Sequence, residues 1–310
     1  MRVIFMGTPD FAVGTLEAII EAGHEVVLAV TQPDKPKGRG NTMQFPPVKE
    51  CALAHGIEVF QPVKIREDAS VQYLQGYHPD IIIVVAFGQI LPKSILDMPK
   101  YGCVNVHASL LPKYRGAAPI QWAVINGDEF TGVTTQRMDV GLDTGDIIAK
   151  REVRLSPDET GGSLFDKLAE VGAKLCVETM DMLEKGTAVF VPQNDDFCSH
   201  TTKITKEMGN LDWNRPAVEL ERLVRGLNPW PSAYTYLDNK TFKIWKSTVL
   251  EENSNFTPGS VVRADKSGIY VQTGGGMLVL QEVQLEGKKR MDAAAFCNGY
   301  SLQEGVVLCN

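Results

Sequence analysis

The sequence predicts an α/β protein in two parts, a mostly parallel sheet with helices on both faces followed by a small β-barrel. Near-continuous apolar strands alternate with helices in the first part, which is typical of parallel sheets covered on both faces. After residue 208 the pattern changes to short alternating strands separated by turn residues. A chain of 310 residues, 44% of them apolar, is long enough for two domains.

The first strand is the apolar run R-V-I-F-M-G at residues 2–7, and the turn Gly7-Thr8-Pro9-Asp10 begins a helix that reaches about residue 22. A second strand at residues 25–31 completes a Rossmann-like unit. The turn reads G-T-P-D-F-A rather than G-x-G-x-x-G, so it lacks the glycine that lets a pyrophosphate approach the backbone. A nicotinamide cofactor is therefore not predicted.

An irregular basic segment follows, Q-P-D-K-P-K-G-R-G-N-T-M-Q-F-P-P at residues 32–47. Structureless segments of this length inside a compact domain are uncommon and are often functional or disordered. Gly38 and Gly40 flank Arg39, which gives this side chain freedom of movement. Two interpretations stay open, a solvated surface loop and a flexible arm whose arginine reaches a phosphate.

The most apolar run, residues 80–88, predicts the central strand of the sheet, and ligands bind outside the carboxyl ends of such strands. The next strand, residues 103–107, places Asn105 and His107 on one face because side chains alternate along a strand. Buried polar groups without partners cost about 1–3 kcal/mol each, so the pair needs a purpose. Catalysis is favoured, and a hydrogen-bonded core histidine is the alternative.

Two loops complete the candidate site. In Ser109-Leu110-Leu111-Pro112, the proline restricts its own backbone and that of Leu111, which predicts an extended loop with its groups available to a ligand. The second loop, D-V-G-L-D-T-G-D, joins strands at residues 132–138 and 147–155. Its spacing does not match the EF-hand pattern, so no metal is predicted. Asp143, between two glycines, is the carboxylate expected to face His107.

A long amphipathic helix at residues 160–186 ends the first part. The predicted domains are a catalytic domain at residues 1–189, a polar linker at 190–208 and a barrel of OB type at 209–310. The barrel is predicted from a helix at 216–226 and about five short strands. Its lysines either bind nucleic-acid phosphates or are ordinary solvated residues.

Charge and composition restrict the class of protein. The net charge is −7, yet residues 200–310 carry 13 Lys and Arg against 12 Asp and Glu, so the excess acid lies in the first part. The six cysteines contain no C-x-x-C pair, which favours reduced thiols in a cytoplasmic protein. No signal peptide and no run of about 20 apolar residues is found. A monomer without membrane contact is expected.

Several segments together resemble the folate-dependent formyltransferase family, and within it the members that act on methionyl-tRNA. They are G-T-P-D-F-A, Q-P-D-K-P-K-G-R-G, N-V-H-A-S-L-L-P-K-Y-R-G-A-A-P-I, D-V-G-L-D-T-G-D and N-P-W-P. The resemblance implies transfer of formyl from 10-formyltetrahydrofolate to the amino group of methionyl-initiator tRNA, for translation initiation. Lys113-Tyr114 stands where some members have Arg-Trp.

The resemblance also implies roles for the candidate residues. Asn105, His107 and Asp143 would be catalytic, and the loop residues Ser109, Leu110, Leu111 and Pro112 would contact the folate. Arg39 would lie near the acceptor stem of the tRNA, and the barrel would hold the tRNA backbone. These roles agree with the chemistry of an amine attacking a formyl carbon, which builds an oxyanion that hydrogen-bond donors stabilise.

Three alternatives remain. A formyltransferase acting on a small amine, such as an amino sugar nucleotide or glycinamide ribonucleotide, would not need a basic mobile loop. A formyltetrahydrofolate hydrolase would be expected to carry a regulatory domain that this sequence does not show. A non-catalytic RNA-binding protein would keep the barrel but would have no use for Asn105, His107 and Asp143 together.

Overall fold

The computed structural model of the protein describes residues 1–37 and 42–309. The chain forms two compact units that interleave along the sequence. Unit 1 comprises Met1–Pro119, Phe130–Arg154 and Phe165–Thr201. Unit 2 comprises Ile120–Glu129, Leu155–Leu164 and Thr202–Asn310. Two short segments from the middle of the chain therefore belong to the unit that contains the C-terminal domain.

The helices and strands account for most of the described chain. The strands of unit 1 are β1 (Arg2–Gly7), β2 (Glu25–Val30), β3 (Lys35–Lys37), β4 (Thr42–Gln44), β5 (Val59–Phe60), β6 (Ile81–Val85), β7 (Cys103–His107), β8 (Arg115–Gly116), β9 (Phe130–Arg137), β10 (Ile147–Arg154) and β11 (His200–Thr201). The strands of unit 2 are β12 (Ala233–Leu237), β13 (Lys240–Leu250), β14 (Val261–Asp265), β15 (Gly268–Gln272), β16 (Met277–Leu285) and β17 (Met291–Asp292). The helices are α1 (Asp10–Glu21), α2 (Pro47–Ala54), α3 (Asp68–Gln75), α4 (Lys93–Leu96), α5 (Pro119–Ile125), α6 (Gly161–Glu184), α7 (Ala217–Gly226) and α8 (Ala293–Gly299).

The main sheet of unit 1 has the strand order β10-β9-β7-β6-β1-β2-β5. The five strands from β7 to β5 are parallel, whereas β9 pairs antiparallel with both β7 and the edge strand β10. β6 lies in the middle of this order and all five of its residues are buried. This confirms the mostly parallel sheet, and the central position follows from the apolar run because a strand covered on both faces needs apolar side chains in both directions.

Two segments of unit 1 are more ordered than the sequence suggested. The basic segment at residues 32–47 contains a two-stranded ribbon, since β3 pairs antiparallel with β4 from Lys35↔Gln44 to Lys37↔Thr42. The predicted linker at residues 190–208 is wrong in its first part, because β11 pairs with β8 and Val191 bridges Ile147 in unit 1. Backbone hydrogen bonds to unit 1 hold this part, and such bonds leave no apolar periodicity in the sequence.

Unit 2 contains an antiparallel sheet in the order β12-β13-β16-β15-β14, with β17 also paired to β16. The five predicted strands are present, whereas β17 and α8 were not predicted. The two edges of the sheet meet through the end of the chain, because Cys309 bridges Tyr236 of β12 and Val307 bridges Ser260 next to β14. The C-terminal segment thus occupies both open edges, which protects them from pairing with another chain.

Leu308 is expected to stabilise this closure. Its side chain is 1% exposed and its N–H donates to the Gly259 carbonyl at 2.8 Å, whereas the neighbouring Val307 side chain is 52% exposed. Leu308→Ala should lower the free energy of unfolding of unit 2 by about 2–5 kcal/mol, while the control Val307→Ala should change it by no more than about 0.5 kcal/mol. All four tryptophans lie in unit 2, so their fluorescence in a denaturant titration follows this unit. Equal changes in the free energy of unfolding for the two variants would contradict a stabilising role for the Leu308 side chain.

Candidate active site

The register of β7 against β9 brings four polar side chains together. Asn105 lies opposite Gln136 and His107 lies opposite Thr134 in the antiparallel pair, so all four side chains project from one face. On the other face, Val106 packs so close to α6 that a Cβ added to Gly172 would lie 3.1 Å from its Cγ1. The predicted alternation of β7 is therefore present, with the polar side chains on the face away from that helix.

The His107 ring is held between two oxygen acceptors. Its Nε2 lies 2.9 Å from the Tyr114 carbonyl oxygen, and its Nδ1 lies 3.7 Å from Oδ1 of Asp143. A carbonyl oxygen only accepts, so Nε2 carries a hydrogen and donates it to Tyr114. Nδ1 remains on the side of Asp143. The backbone of Tyr114 has φ of 61°, in the left-handed region that non-glycine residues seldom occupy.

The carboxylate of Asp143 accepts hydrogen bonds from three segments of unit 1. Oδ1 accepts from Nδ2 of Asn105 at 3.3 Å and from Nε2 of Gln136 at 3.0 Å. Oδ2 accepts from the backbone N–H of Gly116 at 2.8 Å. Three donors match a carboxylate, which only accepts. The structure therefore brings Asn105, His107 and Asp143 together, as the sequence suggested.

Four further residues of this network were not predicted, namely Arg115, Thr134, Gln136 and Gln193. Gln193 donates to the carbonyl oxygens of Asp143 and Gly145, both at 2.8 Å, and its Oε1 accepts from Arg115. Arg115 is 3% exposed and pairs with Asp195 at 2.8 Å. Gln193 lies in the segment interpreted as a linker, where no periodic pattern indicates its position. The sequence does contain a signal for Thr134 and Gln136, because these two polar residues occupy alternate positions on the buried strand β9.

The Ser109–Pro112 loop is held by the protein more firmly than expected. Each of its four carbonyl oxygens accepts a hydrogen bond within the chain, from Thr134 Oγ1, Lys113 N, Lys150 Nζ and Ser199 N in order. The N–H of Leu111 also donates to Thr134 Oγ1 at 3.1 Å. Ser109 and Leu111 are buried, while Leu110 and Pro112 are half-buried. Each carbonyl of this loop therefore has one partner within the chain, and its availability to a ligand stays a prediction.

Lys150 supports the loop from β10. Its ammonium group donates to the Leu111 carbonyl, and burial lowers the pKa of Lys150. The aspartate loop before β10 has its own internal bonds, because Oδ1 of Asp139 accepts from Gly141 N at 3.0 Å and from Thr144 Oγ1 at 2.6 Å. Asp139 thus shapes the turn, which leaves Asp143 as the carboxylate that reaches Asn105.

One group of three metal-type ligands occurs in the described part of the chain. Glu17, Cys51 and His55 each place one ligand atom within 4.8 Å of the others. Glu17 and His55 are exposed, and partial burial together with Glu17 raises the pKa of Cys51, which disfavours the thiolate that binds metal. This group shares no residue with the site around Asp143. The absence of a metal from the site around Asp143 stays a prediction.

The ribbon of β3 and β4 is anchored at its base by Lys49 of α2. Nζ of Lys49 donates to Oδ2 of Asp34 at 2.7 Å and to Oε1 of Gln61 at 2.8 Å. It also lies 3.9 Å from the centre of the Phe45 ring. Asp34 precedes β3 and Phe45 follows β4, so one ammonium group holds both ends of the ribbon. The bond from Lys49 lowers the pKa of Asp34. Arg39 lies outside the described residues.

Comparison with known proteins identifies the family. A family model described as "Formyl transferase" matches residues 1–180. A second, "Formyl transferase, C-terminal domain", matches residues 203–301. The chain belongs to the formyl transferase family. The resemblance found in the motifs is confirmed, and it extends over both parts of this formyl transferase.

Curated relatives cover nearly the whole chain. It is 71% identical to the methionyl-tRNA formyltransferase of Agathobacter rectalis, over 98% of each chain. It is 57% identical to the enzyme of the same name from Lachnospira eligens, over 99% of each chain. For the methionyl-tRNA formyltransferase of Clostridioides difficile the identity is 49%, over 99% of this chain and 100% of the relative.

Solved structures share the fold at low identity. The sugar 3N-formyl transferase WlaRD, in the presence of dTDP and 5-N-formyl-THF, has a TM-score of 0.67 at 18% identity and covers 93% of this chain and 99% of its own. Glycinamide ribonucleotide transformylase 1 from Symbiobacterium toebii has a TM-score of 0.52 at 17% identity and covers 63% and 94%. This likeness establishes the fold alone. Among the described residues, no helix has the length and apolar character needed to cross a membrane.

The anchoring role of Lys49 makes a testable prediction. In Lys49→Met, the backbone amides of β3 and β4 should exchange with deuterium faster, because the bonds to Asp34 and Gln61 at the base of the ribbon are lost. The control Lys93→Met removes an exposed i,i+4 ion pair with Asp97 and should leave that exchange unchanged. Hydrogen exchange read by mass spectrometry measures both variants. Unchanged exchange in Lys49→Met would show that the ribbon does not depend on this anchor.

Proposed function

We propose that this formyl transferase moves the formyl group of 10-formyltetrahydrofolate to the amino group of methionyl-initiator tRNA. The observation that carries the proposal is identity of up to 71%, over almost the full length, to proteins named methionyl-tRNA formyltransferase. The clustering of Asn105, His107 and Asp143 supports it, because formyl transfer to an amine needs donors for an oxyanion and an acceptor for a proton.

The reaction forms a bond between the methionyl nitrogen and the formyl carbon, and it breaks the bond from that carbon to N10 of the folate. Attack of the amine moves an electron pair onto the formyl oxygen, which becomes an oxyanion. The amine loses one proton and the departing N10 gains one, so the proton count balances. The protein therefore has to stabilise the oxyanion and transfer a proton.

Asn105 and His107 are proposed to stabilise the oxyanion. The Tyr114 carbonyl occupies Nε2 of His107, which leaves Nδ1 of the protonated ring to donate to the reacting oxygen. Nδ1 lies 3.7 Å from Asp143, longer than a hydrogen bond, so it is not committed to that carboxylate. The Asn105 amide lies two residues away on the same face and supplies the second donor. Such donors act in place, without reorganisation during the reaction.

Asp143 is proposed to take the proton from the attacking amine, directly or through water. Hydrogen bonds from Asn105, Gln136 and Gly116 orient its carboxylate toward the face that His107 shares. A proton acceptor has to lie within hydrogen-bonding reach of the group it deprotonates, and this arrangement fixes its direction before substrate binds. No residue of the chain needs to carry the formyl group.

The Ser109–Pro112 loop is proposed to contact the folate through Leu110 and Pro112, its two half-buried side chains. Ser109 and Leu111 are buried and give the loop its shape. Because the carbonyls are already bonded to Thr134, Lys113, Lys150 and Ser199, the loop presents a prebuilt apolar surface. A prebuilt surface lowers the entropic cost of binding the ring system.

The tRNA is proposed to be bound by Arg39 and by the C-terminal domain. The ribbon of β3 and β4 leads to Arg39, which would reach phosphates of the acceptor stem. In unit 2, Lys243 and Arg290 lie 5.5 Å and 4.8 Å from the ring of Trp245, which combines positive charge with an aromatic surface. That combination suits single-stranded nucleic-acid ends. Methionyl-tRNA thus fits the chain better than a small amine, which would use neither feature.

The first test concerns the catalytic residues. Asn105→Ala, His107→Ala and Asp143→Ala should each lower kcat by about 10²- to 10⁴-fold, because each removes a donor or the proton acceptor. The measurement is N-formylation of charged initiator tRNA by 10-formyltetrahydrofolate, with a thermal melt to verify folding. Asp146→Asn changes a carboxylate of the same loop and should retain normal turnover. Near-normal turnover in folded His107→Ala would overturn the mechanism.

The second test concerns the acceptor. Arg39→Ala should raise KM for the charged tRNA. The slope of the logarithm of tRNA affinity against the logarithm of salt concentration should become shallower by about one, since one phosphate contact is lost. Binding of the folate, followed by calorimetry, should stay intact. Arg66→Ala removes an exposed arginine elsewhere in unit 1 and serves as the charge-matched control. If Arg39→Ala instead abolished folate binding, the arm would belong to the folate pocket and not to the tRNA site.

A further inference from the structure

We propose that Gln193 is a positioning residue whose side-chain amide holds Asp143 in its working orientation. The inference rests on the proposed function, since it assigns a cause to the placement of the carboxylate that takes the proton. Gln193 does not touch the carboxylate itself. It acts on the backbone that carries the carboxylate, from a segment of chain 50 residues further on.

The NH₂ group of the Gln193 side chain donates to two carbonyl oxygens of the aspartate loop, residues 139–146. Nε2 lies 2.8 Å from the carbonyl oxygen of Asp143 and 2.8 Å from that of Gly145. A third acceptor, Oε1 of Gln136, lies at 3.3 Å. One side chain therefore bonds to both ends of the Asp143–Gly145 turn, and also to the residue that donates to the Asp143 carboxylate.

The backbone of Asp143 needs such a restraint. Its φ is 54°, a left-handed conformation that costs a non-glycine residue free energy and persists only where surrounding contacts hold it. Rotation out of this region would swing the carboxylate away from Asn105 and from the N–H of Gly116. The bonds from Gln193 to the carbonyls of Asp143 and Gly145 oppose that rotation directly.

The acceptor end of the amide is fixed by Arg115. Its Nε and Nη2 donate to Oε1 of Gln193 at 3.0 Å and 2.9 Å, and its guanidinium also pairs with Asp195. Arg115 is 3% exposed, so it does not swing freely. The next residue is Gly116, whose N–H donates to the Asp143 carboxylate at 2.8 Å. The same two-residue strand thus anchors Gln193 and binds the carboxylate.

Only an amide satisfies both ends at once. Its NH₂ donates to two carbonyl oxygens while its C=O accepts from the guanidinium. A glutamate in this place would keep the bonds from Arg115 but would set an acceptor against the carbonyls of Asp143 and Gly145. A leucine would lose both sets of bonds. Comparison of Gln193→Glu with Gln193→Leu therefore separates the effect of losing the bonds to Asp143 and Gly145 from the effect of also losing the bonds from Arg115.

Both variants should lower kcat for formylation of charged tRNA by about 10- to 100-fold, with KM for 10-formyltetrahydrofolate within about twofold, because the carboxylate is misplaced and not removed. The matched control is Gln272→Leu in unit 2. Gln272 is 4% exposed and likewise donates to two carbonyls of one turn, those of Thr273 and Gly276. It should lower the melting temperature without lowering kcat.

Wild-type kcat in Gln193→Glu would overturn the proposal, since it would show that the bonds to the aspartate loop are not needed. An equal loss of kcat in Gln272→Leu would also overturn it, because the effect would then be one of general stability. Reduced kcat in both Gln193 variants with normal kcat in Gln272→Leu supports it.

A second measurement works without turnover and separates this inference from the proposed function. The amide proton of Gly116 donates to a carboxylate, which should shift its NMR resonance downfield in the wild-type protein. The downfield shift should be lost in Gln193→Leu and kept in Gln272→Leu. Retention of the shift in folded Gln193→Leu overturns the positioning role. If the wild-type protein did not formylate methionyl-tRNA, but the Gly116 amide resonance behaved as predicted in the wild type and both variants, only the proposed function would be overturned.

Discussion

The carboxylate of Asp143 is the interaction on which the candidate site depends. It joins β7 through Asn105, β9 through Gln136 and the short strand β8 through the N–H of Gly116. Each of these groups would lose a bonding partner if the carboxylate turned away, and unpaired polar groups in a largely buried place are costly. The arrangement is therefore cooperative, so that one correctly placed carboxylate orients the amide and the neighbouring loop together.

The groups around the carboxylate are also held in place by hydrogen bonds within the protein. The Tyr114 carbonyl accepts from Nε2 of the His107 imidazole, so the other ring nitrogen, Nδ1, faces Asp143. Thr134 and Lys150 bond to the backbone of the Ser109–Pro112 loop. Tyr114 and Asp143 both occupy left-handed backbone conformations, which places local strain at the site. Rigid donors of this kind suit a reaction whose main demand is stabilisation of a transient negative charge.

In the proposed function, the reaction and the choice of acceptor depend on different parts of the chain. The candidate catalytic residues all lie in unit 1, on a fold shared at 16–19% identity by sugar formyltransferases, HypX and a glycinamide ribonucleotide transformylase. A fold with such varied names cannot by itself specify an acceptor. The proposed tRNA-binding features are other parts of the chain, namely the ribbon held by Lys49 in unit 1 and the basic residues around Trp245 in unit 2.

The sequence by itself determined the α/β class, the central strand β6, the shared face of Asn105 and His107, and the family, because periodicity and contiguous motifs are local properties. Only the tertiary structure decided which groups meet those residues. Gln193 reaches Asp143 across 50 positions, and the Ser109–Pro112 carbonyls find partners as distant as Ser199. Such bonds leave no periodic signal, so residues 190–201 resembled a linker. The register of β7 against β9, and with it the roles of Thr134 and Gln136, also follows from strand pairing, which a single sequence does not specify.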